Sequence, residues 1–173
     1  RHRGTVGGSV AHGDPASDLP AALLAMRATL VARGPGGERQ IPVDDFFTGF
    51  LETALAPDEV LTEVRVPATD GAGWAFQKFN RRAQDWAIVG VAAVLGSGSN
   101  GAGGPGVGLV NMGSMPLRAA GVEEALRGGA AATDAAERAD DGTEPPEDLN
   151  ASPEYRRHLA RVLVRRALEG AGG

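Results

Sequence analysis

Two adjacent glycines near the start of the chain stand where a phosphate group could bind. In residues 5–9, T-V-G-G-S, both glycines can adopt positive φ without a steric penalty, so we predict a strand end that enters a tight turn. Consecutive N–H groups in such a turn form a concave nest for phosphate oxygens, and Thr5 and Ser9 add hydroxyl donors. Asp18 follows, and a carboxylate can accept hydrogen bonds from sugar hydroxyls. The pattern therefore fits a nucleotide.

The same spacing also fits less specific alternatives. It matches neither G-x-G-x-x-G nor the P-loop pattern, and a glycine turn before a capped helix is usually only a turn. His12, Asp14 and Asp18 suggest a metal site at first sight, but three hard ligands on one turn with no fourth partner nearby are an incomplete coordination set. We therefore predict no metal ligand and no catalytic residue, and we expect His12 to line the nucleotide site.

The secondary-structure elements around this motif determine the positions of its side chains. Ser17 or Asp18 can cap a helix predicted at residues 20–27, because a short acceptor side chain satisfies free N–H groups at a helix start. Two short strands are predicted at residues 29–33 and 39–43, on either side of a glycine-rich turn.

A second set of elements follows. An irregular or helical connection at residues 45–55 leads to a half-buried strand at residues 60–66, where apolar and polar positions alternate. The best candidate boundary lies at residues 68–73. Beyond it we predict strands at 74–80, 87–95 and 107–112, a glycine- and serine-rich loop at 96–106, and helices at 118–127 and 153–168. An antiparallel meander is the simplest arrangement of these three strands.

The last predicted helix has one apolar face. That face carries Tyr155, Leu159, Val162 and Leu163, whereas Arg156, Arg157, Arg161 and Arg165 are predicted to lie elsewhere. A helix with one apolar stripe and a basic remainder is typical of a packing helix rather than of a membrane-binding one.

The whole string T-V-G-G-S-V-A-H-G-D-P-A-S-D-L-P resembles the second flavin-binding motif of the molybdenum hydroxylase flavoproteins, the family of the medium subunit of aerobic carbon monoxide dehydrogenase and of the flavin domain of xanthine dehydrogenase. The similarity continues in order through I-P-V-D-D-F-F, D-E-V-L-T-E-V-R-V-P, F-Q-K-F-N-R-R-A-Q-D-W-A-I-V and E-Y-R-R-H-L-A-R-V-L-V-R-R-A-L. It therefore spans nearly the whole chain.

This resemblance implies an α+β fold. Residues 1–67 would be the second lobe of a two-lobed FAD-binding domain, truncated at its N-terminus, and residues 72–171 a C-terminal domain with a three-stranded antiparallel sheet packed on a helical bundle. Family members begin with a further lobe whose motif resembles A-G-G-x-S-L, which does not occur in this sequence. Because both lobes close on the cofactor, we expect this chain alone to bind FAD weakly or not at all, and to be inactive by itself.

Carried over by position, the resemblance implies a role for individual residues. Residues 5–9 would hold the pyrophosphate of FAD, Asp18 would bind in the same nucleotide site, and Leu61 would lie against the adenine or the ring system. Lys78 would sit near the flavin, where a cation stabilises the negative charge of the reduced ring. The predicted cofactor-binding residues are Thr5, Val6, Gly7, Gly8, Ser9, His12, Ser17, Asp18, Leu61, Lys78 and Asp85.

The loop after Lys78 resembles the family's loop over the flavin. Asp85 would place a negative charge near the ring, and Trp86 or Phe76 would cover it. A simpler interpretation is that Lys78 is a solvated strand-end lysine and that Phe76, Trp86 and Trp74 are packing aromatics, since large aromatics dominate core burial.

Composition narrows the possible partners and the location. With 17 basic and 22 acidic residues the net charge is -5, so no positive field attracts nucleic acid. The absence of cysteine excludes disulfides, thiolate zinc and a cysteine-ligated iron-sulfur cluster in this chain. The longest apolar run, residues 87–95, is far short of the roughly 20 residues of a membrane span. No signal peptide precedes the first motif, so we expect a cytoplasmic protein.

The resemblance therefore implies that this chain belongs to the flavoprotein subunit of a molybdenum-containing oxidoreductase. A large molybdopterin-binding subunit would supply the electrons, which would pass through 2Fe-2S clusters on a small iron-sulfur subunit to the FAD. The FAD would then pass them to a quinone, NAD or another acceptor. One alternative is a non-catalytic truncated relative that serves as an assembly or interaction domain without bound FAD. Another is a related FAD oxidase without molybdenum, against which the terminal E-Y-R-R-H-L-A string argues.

Overall fold

A computed structural model describes residues 4–83, 85–96 and 104–172. We call residues 4–67 the N-terminal part and residues 72–172 the C-terminal part. Both parts combine helices with antiparallel sheet, so the predicted α+β class is confirmed. The predicted limits of two separate domains stay a prediction, because one helix of the N-terminal part packs directly on the sheet of the C-terminal part, as described below.

The elements follow one another along the chain. In the N-terminal part they are α1 (Val6–Ala11), α2 (Asp18–Ala25), β1 (Thr29–Gly34), β2 (Gly37–Pro42), a 3-10 helix (Val43–Asp45), β3 (Phe47–Gly49), β4 (Glu52–Thr53) and β5 (Val60–Arg65). In the C-terminal part they are β6 (Gly73–Phe79), β7 (Val89–Leu95), β8 (Gly106–Val110), β9 (Leu117–Arg118), α3 (Ala120–Arg127), α4 (Ala132–Ala136) and α5 (Pro153–Gly172).

The predicted glycine turn at residues 5–9 is wrong. Gly7 and Gly8 lie inside helix α1, and neither has positive φ. The helix begins there because Thr5 has an extended backbone and its hydroxyl oxygen accepts a hydrogen bond from Gly8 N at 3.0 Å, which caps the first turn. The N-cap hydrogen bond of Thr5 thus favours a helical conformation at Gly7 and Gly8, which have only a weak backbone preference of their own.

The strands of the N-terminal part form one main sheet with the order β2-β1-β5. The predicted hairpin of β1 and β2 and the predicted strand β5 are confirmed. A register shift between Val31 and Ala32 lets both Leu61 and Val64 of β5 turn toward the core, although they are three residues apart. The predicted connection at residues 45–55 instead contains the end of the 3-10 helix and the short strands β3 and β4.

The sheet of the C-terminal part has four strands in the order β6-β7-β8-β9, not three. The predicted meander of β6, β7 and β8 is confirmed, and all neighbours are antiparallel. The additional strand is β9, where Arg118 pairs with Gly108, so the helix predicted to start at Arg118 begins at Ala120. Of the predicted loop at residues 96–106, residues 97–103 lie outside the described residues.

Helix α2 packs so closely on strand β8 that no side chain fits between them. A Cβ atom on Gly106 would lie 1.9 Å from Ala25 O, and one on Gly108 would lie 2.0 Å from Ala21 O. Ala21 and Ala25 form a buried cluster with three residues of the C-terminal part, namely Ala87, Ala92 and Val110. The contact between α2 and this sheet is therefore an apolar layer of small residues.

Helix α5 covers the opposite face of the sheet. Leu159 and Leu163 are buried as predicted, whereas Tyr155, predicted on the same face, is 44% exposed. The helix continues to Gly172, beyond the predicted end. The prediction that Arg156 lies away from the packed face is wrong, because Arg156 is 0% exposed. Its guanidinium has two polar partners: Nη1 donates to Ile88 O, and Nη2 lies 2.7 Å from Oδ2 of Asp148, whose side chain is 40% exposed.

Candidate cofactor site

A cavity of about 400 Å³ lies where the two parts meet. Its walls are formed by the end of α1, the connection from α1 to α2, strand β6 and the loop that follows β6. The lining residues are Ser9, His12, Asp14, Ala16, Ser17, Asp18, Lys78, Asp85 and Trp86. A concave site between two structural units, with a few convergent polar groups, is a common position for a cofactor.

An ion pair joins the two parts inside this cavity. Lys78 Nζ lies 2.8 Å from Asp18 Oδ2, and the two side chains are 23% and 45% exposed. Asp18 is the first residue of α2, where the helix dipole favours a negative charge. The other carboxylate oxygen, Asp18 Oδ1, is buried and has no hydrogen-bond partner among the described residues. Such an oxygen is suited to accept a hydrogen bond from a ligand.

Three further predicted residues surround this pair. His12 follows the last turn of α1, and its main-chain N–H donates to Gly8 O. Ser17 occupies the N-cap position of α2, but its hydroxyl makes no capping hydrogen bond. With Ser9 from α1, these residues place two hydroxyls and one imidazole around the ion pair.

The other predicted residues lie along α1 and β5. Thr5, Val6, Gly7 and Gly8 form the first turn of α1, and a Cβ atom on Gly7 would be 3.7 Å from Leu61 O. The main chain of Leu61 therefore lies beside this turn, but Leu61 is not in the wall of the cavity, and its predicted contact with the adenine or the ring system stays a prediction. Of the eleven predicted residues, the cavity wall contains six: Ser9, His12, Ser17, Asp18, Lys78 and Asp85.

Of the aromatic residues proposed to cover the site, Trp86 lines the cavity and Phe76 does not. Trp86 is 62% exposed and follows Asp85, whose Oδ1 accepts a hydrogen bond from Trp86 N at 2.9 Å. Phe76 and Trp74 instead border a separate apolar cavity between α2 and β6.

Sequence reasoning overlooked Asp14 and Ala16 as lining residues. Asp14 is buried, and its Oδ1 accepts a hydrogen bond from Ala16 N at 2.8 Å, which closes an Asx turn. The spacing D-P-A is a recognisable signal for such a turn. Within the described ranges, no group of three potential ligand side chains is arranged to hold a metal ion.

A second cavity of about 330 Å³ adjoins the first and shares Asp14, Ala16, Asp85 and Trp86 with it. Asp148 and Arg156 lie in its wall. Burial acts to raise the pKa of Asp148, but hydrogen bonds from the main chain of Asn150 and Ala151, together with Arg156, hold this pKa below its usual value.

Comparison with protein families assigns both parts. Residues 1–69 match the FAD binding domain in molybdopterin dehydrogenase, and residues 74–171 match the CO dehydrogenase flavoprotein C-terminal domain. The chain therefore belongs to the CO dehydrogenase flavoprotein family, and the predicted resemblance is confirmed. Within the described residues, no helix combines the length and the apolar character that a membrane span requires.

Individual relatives are similar over almost all of this chain. The carbon monoxide dehydrogenase medium chain of Hydrogenophaga pseudoflava is 40% identical over 99% of this chain and 61% of the relative. The nicotine 6-hydroxylase medium subunit of Paenarthrobacter nicotinovorans is 34% identical over 99% of this chain and 62% of the relative. The chain thus spans about three fifths of the length of these relatives.

The fold is also found in solved structures. A carbon monoxide dehydrogenase from Hydrogenophaga pseudoflava, lacking the Mo-pyranopterin moiety of the molybdenum cofactor, superposes with a TM-score of 0.92 at 42% sequence identity. The match covers 99% of this chain and 62% of that chain. A quinoline 2-oxidoreductase from Pseudomonas putida 86 superposes with a TM-score of 0.83 at 30% identity, with the same two coverages.

Proposed function

We propose that this chain is part of the FAD-binding medium subunit of a molybdenum hydroxylase and that the cavity around Lys78 and Asp18 receives part of the FAD. The observation that carries the proposal is the Lys78–Asp18 ion pair, which joins the two parts within that cavity. The match of residues 1–69 to an FAD-binding domain supports the choice of cofactor.

The residues present fit a flavin nucleotide. Asp18 Oδ1 is a buried acceptor without a protein partner among the described residues, as a ribose or ribityl hydroxyl requires. Ser9, Ser17 and His12 add polar groups for the phosphate and sugar portion. The first turn of α1, residues 5–8, lies next to Leu61 and extends the site toward β5.

When bound, FAD supplies electron transfer between clusters on a partner subunit and an acceptor such as a quinone or NAD. Lys78 would supply a positive charge to the bound flavin, and Asp18 fixes the direction of the lysine side chain. Asp85 and Trp86 border the cavity. The partners are a large molybdopterin-binding subunit and a small iron-sulfur subunit, and we propose a cytoplasmic location for the assembly.

The test is flavin content in the full-length subunit within its assembled complex. Wild type is expected to carry FAD, and Asp18→Ala is expected to bind it about 10- to 100-fold more weakly, the loss typical of a hydrogen bond to a charged group. Asp70→Ala removes an exposed carboxylate between the two parts and is the matched control, with unchanged affinity. A wild-type complex without extractable FAD would sink the proposal and favour the non-catalytic assembly domain.

A further inference from the structure

We infer that Asn111 is a positioning residue that fixes two walls of the cofactor cavity relative to each other. This inference rests on the proposed function. Asn111 follows strand β8 and has a φ of 60°, in the left-handed region. Asparagine tolerates this region better than most residues because its short amide side chain can form local hydrogen bonds. Asn111 donates two hydrogen bonds, one to each of these two walls.

The first hydrogen bond holds the connection from α1 to α2. Asn111 N donates to Pro15 O at 2.8 Å. Pro15 stands next to Asp14 and Ala16, which line the cavity, and two residues before Ser17. This main-chain bond anchors the wall contributed by the N-terminal part to the end of β8 in the C-terminal part.

The second hydrogen bond holds the loop after β6. Asn111 Nδ2 donates to Ala87 O at 2.9 Å, and Ala87 is buried. Ala87 comes directly after Asp85 and Trp86, the two residues of this loop that line the cavity. The base of the loop is closed by a bond from Ile88 N to Phe79 O at 2.8 Å. Asn111 therefore connects the loop that carries Asp85 with the connection that leads to Asp18.

This arrangement lets the side-chain bond be removed separately from the main-chain bond. Asn111→Gly retains the N–H to Pro15 and accepts positive φ freely, but it deletes the amide that holds Ala87. In the full-length subunit within its complex, this variant is expected to bind FAD about 3- to 10-fold more weakly, the effect of one hydrogen bond.

The matched control is Thr143→Val. It deletes one side-chain to main-chain hydrogen bond of the same length, from Thr143 Oγ1 to Asp140 O at 2.9 Å, at a buried position outside the cavity. We expect this control to lower the thermal unfolding temperature and to leave the Kd for FAD within twofold of wild type.

A double-mutant cycle separates positioning from general destabilisation. If Asn111 acts through Asp85, Asn111→Gly is expected to add little to the effect of Asp85→Asn on the Kd and on the flavin reduction potential. Additive effects of the two substitutions would overturn the inference. So would a Kd for Asn111→Gly within twofold of wild type.

If Asn111→Gly fails to assemble, Asn111→Asp takes its place, because aspartate has the same size and also tolerates positive φ. Its carboxylate would face Ala87 O without a proton to donate, so the weakening of FAD binding is expected to exceed 10-fold. Unchanged binding by this variant would overturn the inference. A wild-type complex without FAD would instead overturn the proposed function, so the two failures are distinguishable.

Discussion

Lys78 is the single lysine among 17 basic residues, and its ammonium group lies in the cavity wall beside Asp18. Replacing it with Met keeps the length of the side chain and removes the charge. Because a nearby cation stabilises the negative charge of reduced flavin, Lys78→Met is expected to make the flavin potential more negative by about 30 mV, equivalent to roughly 1.4 kcal/mol for a two-electron couple. Potentiometric titration of the assembled complex measures this shift.

The control for Lys78→Met is Lys78→Arg, which keeps the positive charge. The arginine variant is expected to stay close to the wild-type potential, although the geometry of its contact with Asp18 changes. Equal shifts in both variants would show that shape rather than charge matters at this position.

Glu59 gives a pH-dependent contribution to stability. The carboxylate accepts two hydrogen bonds from Arg39, at 2.7 and 2.8 Å, and one from Ala56 N at 2.8 Å. The bond from Arg39, followed by that from Ala56, lowers the pKa of Glu59 from 4.5 to about 2. A depressed folded-state pKa stabilises the fold fully above the unfolded pKa, and this contribution is lost as the pH falls from 4.5 to about 2.

Glu59→Gln is therefore expected to unfold at a lower temperature than wild type at pH 7, and the difference should close as the pH falls toward 2. Thermal unfolding followed by circular dichroism across this range measures it. Glu63→Gln is the control, because the side chain of Glu63 is 51% exposed whereas that of Glu59 is 13% exposed, and exposed ion pairs contribute little. A difference in unfolding temperature between Glu59→Gln and wild type that persisted at pH 2 would contradict the lowered pKa of Glu59.

Residue types in the sequence predicted six residues of the candidate site, but not which side chains contact each other. Asp18 and Lys78 were each singled out from the sequence, yet their contact joins positions 60 residues apart and depends on how the two parts pack. The burial of Arg156 was predicted wrongly for a similar reason. Helical periodicity assigns arginine to the polar face, whereas the burial of this side chain depends on two partners outside the helix: Asp148, in the segment before α5, and Ile88 O, 68 residues away.

At the scale of elements, the packing of α2 on β8 decides where Asp18 stands. A methyl group on Gly108 would meet Ala21 O at 2.0 Å, and main-chain atoms cannot move aside as a flexible side chain can. Gly108→Ala is therefore expected to destabilise the fold by about 1–3 kcal/mol and to displace α2 from the sheet. Because α2 begins with Asp18, the same variant is expected to bind FAD more weakly.

The measurements for Gly108→Ala are urea unfolding and FAD titration of the full-length subunit. The matched control is Gly36→Ala, at a turn where no atom lies within 4 Å of the added Cβ, with an expected change within about 0.5 kcal/mol. If Gly108→Ala matched this control in both measurements, the close contact between α2 and β8 would not exist in solution.

The elements themselves were predicted unevenly. Hairpins and strands with a clear alternation, such as β1, β2 and β5, follow from local patterns. Helix α1 was missed because a glycine pair suggests a turn, whereas the Thr5 cap favours a helix. The two-residue strand β9 was missed because it exists only through pairing with Gly108 and Leu109 of β8.

At the scale of the whole molecule, one buried carboxylate connects the two parts. Glu123 of α3 is 0% exposed and accepts a hydrogen bond from Val107 N at 2.9 Å. Its other partners are arginines: Arg118 and Arg127 of the C-terminal part, and Arg27 of the N-terminal part at 3.3 Å. Arg118 also pairs with Asp44 of the N-terminal part at 3.0 Å. This network and the apolar layer under α2 couple the folding of the two parts.

Arg27 offers a way to weaken the coupling selectively. Its φ is 54°, so Arg27→Gly suits the backbone while removing the contacts to Glu123 and Pro105 O. Both tryptophans, Trp74 and Trp86, lie in the C-terminal part but line cavities shared with the N-terminal part, so fluorescence reports on the packing between the parts, whereas far-ultraviolet circular dichroism follows the secondary structure of both. Coincident transitions are the criterion for two-state unfolding.

Wild type is accordingly expected to show coincident urea transitions by fluorescence and circular dichroism. In Arg27→Gly the two curves should no longer coincide. The matched control is Leu51→Gly, because Leu51 also has positive φ, at 57°, but lies in the turn between β3 and β4 of the N-terminal part. Relief of backbone strain is common to both variants. If the two transitions separate in Arg27→Gly alone, the contact between Arg27 and Glu123 is the link that couples the two parts. If they separate in neither variant, the apolar layer under α2 is sufficient for the coupling.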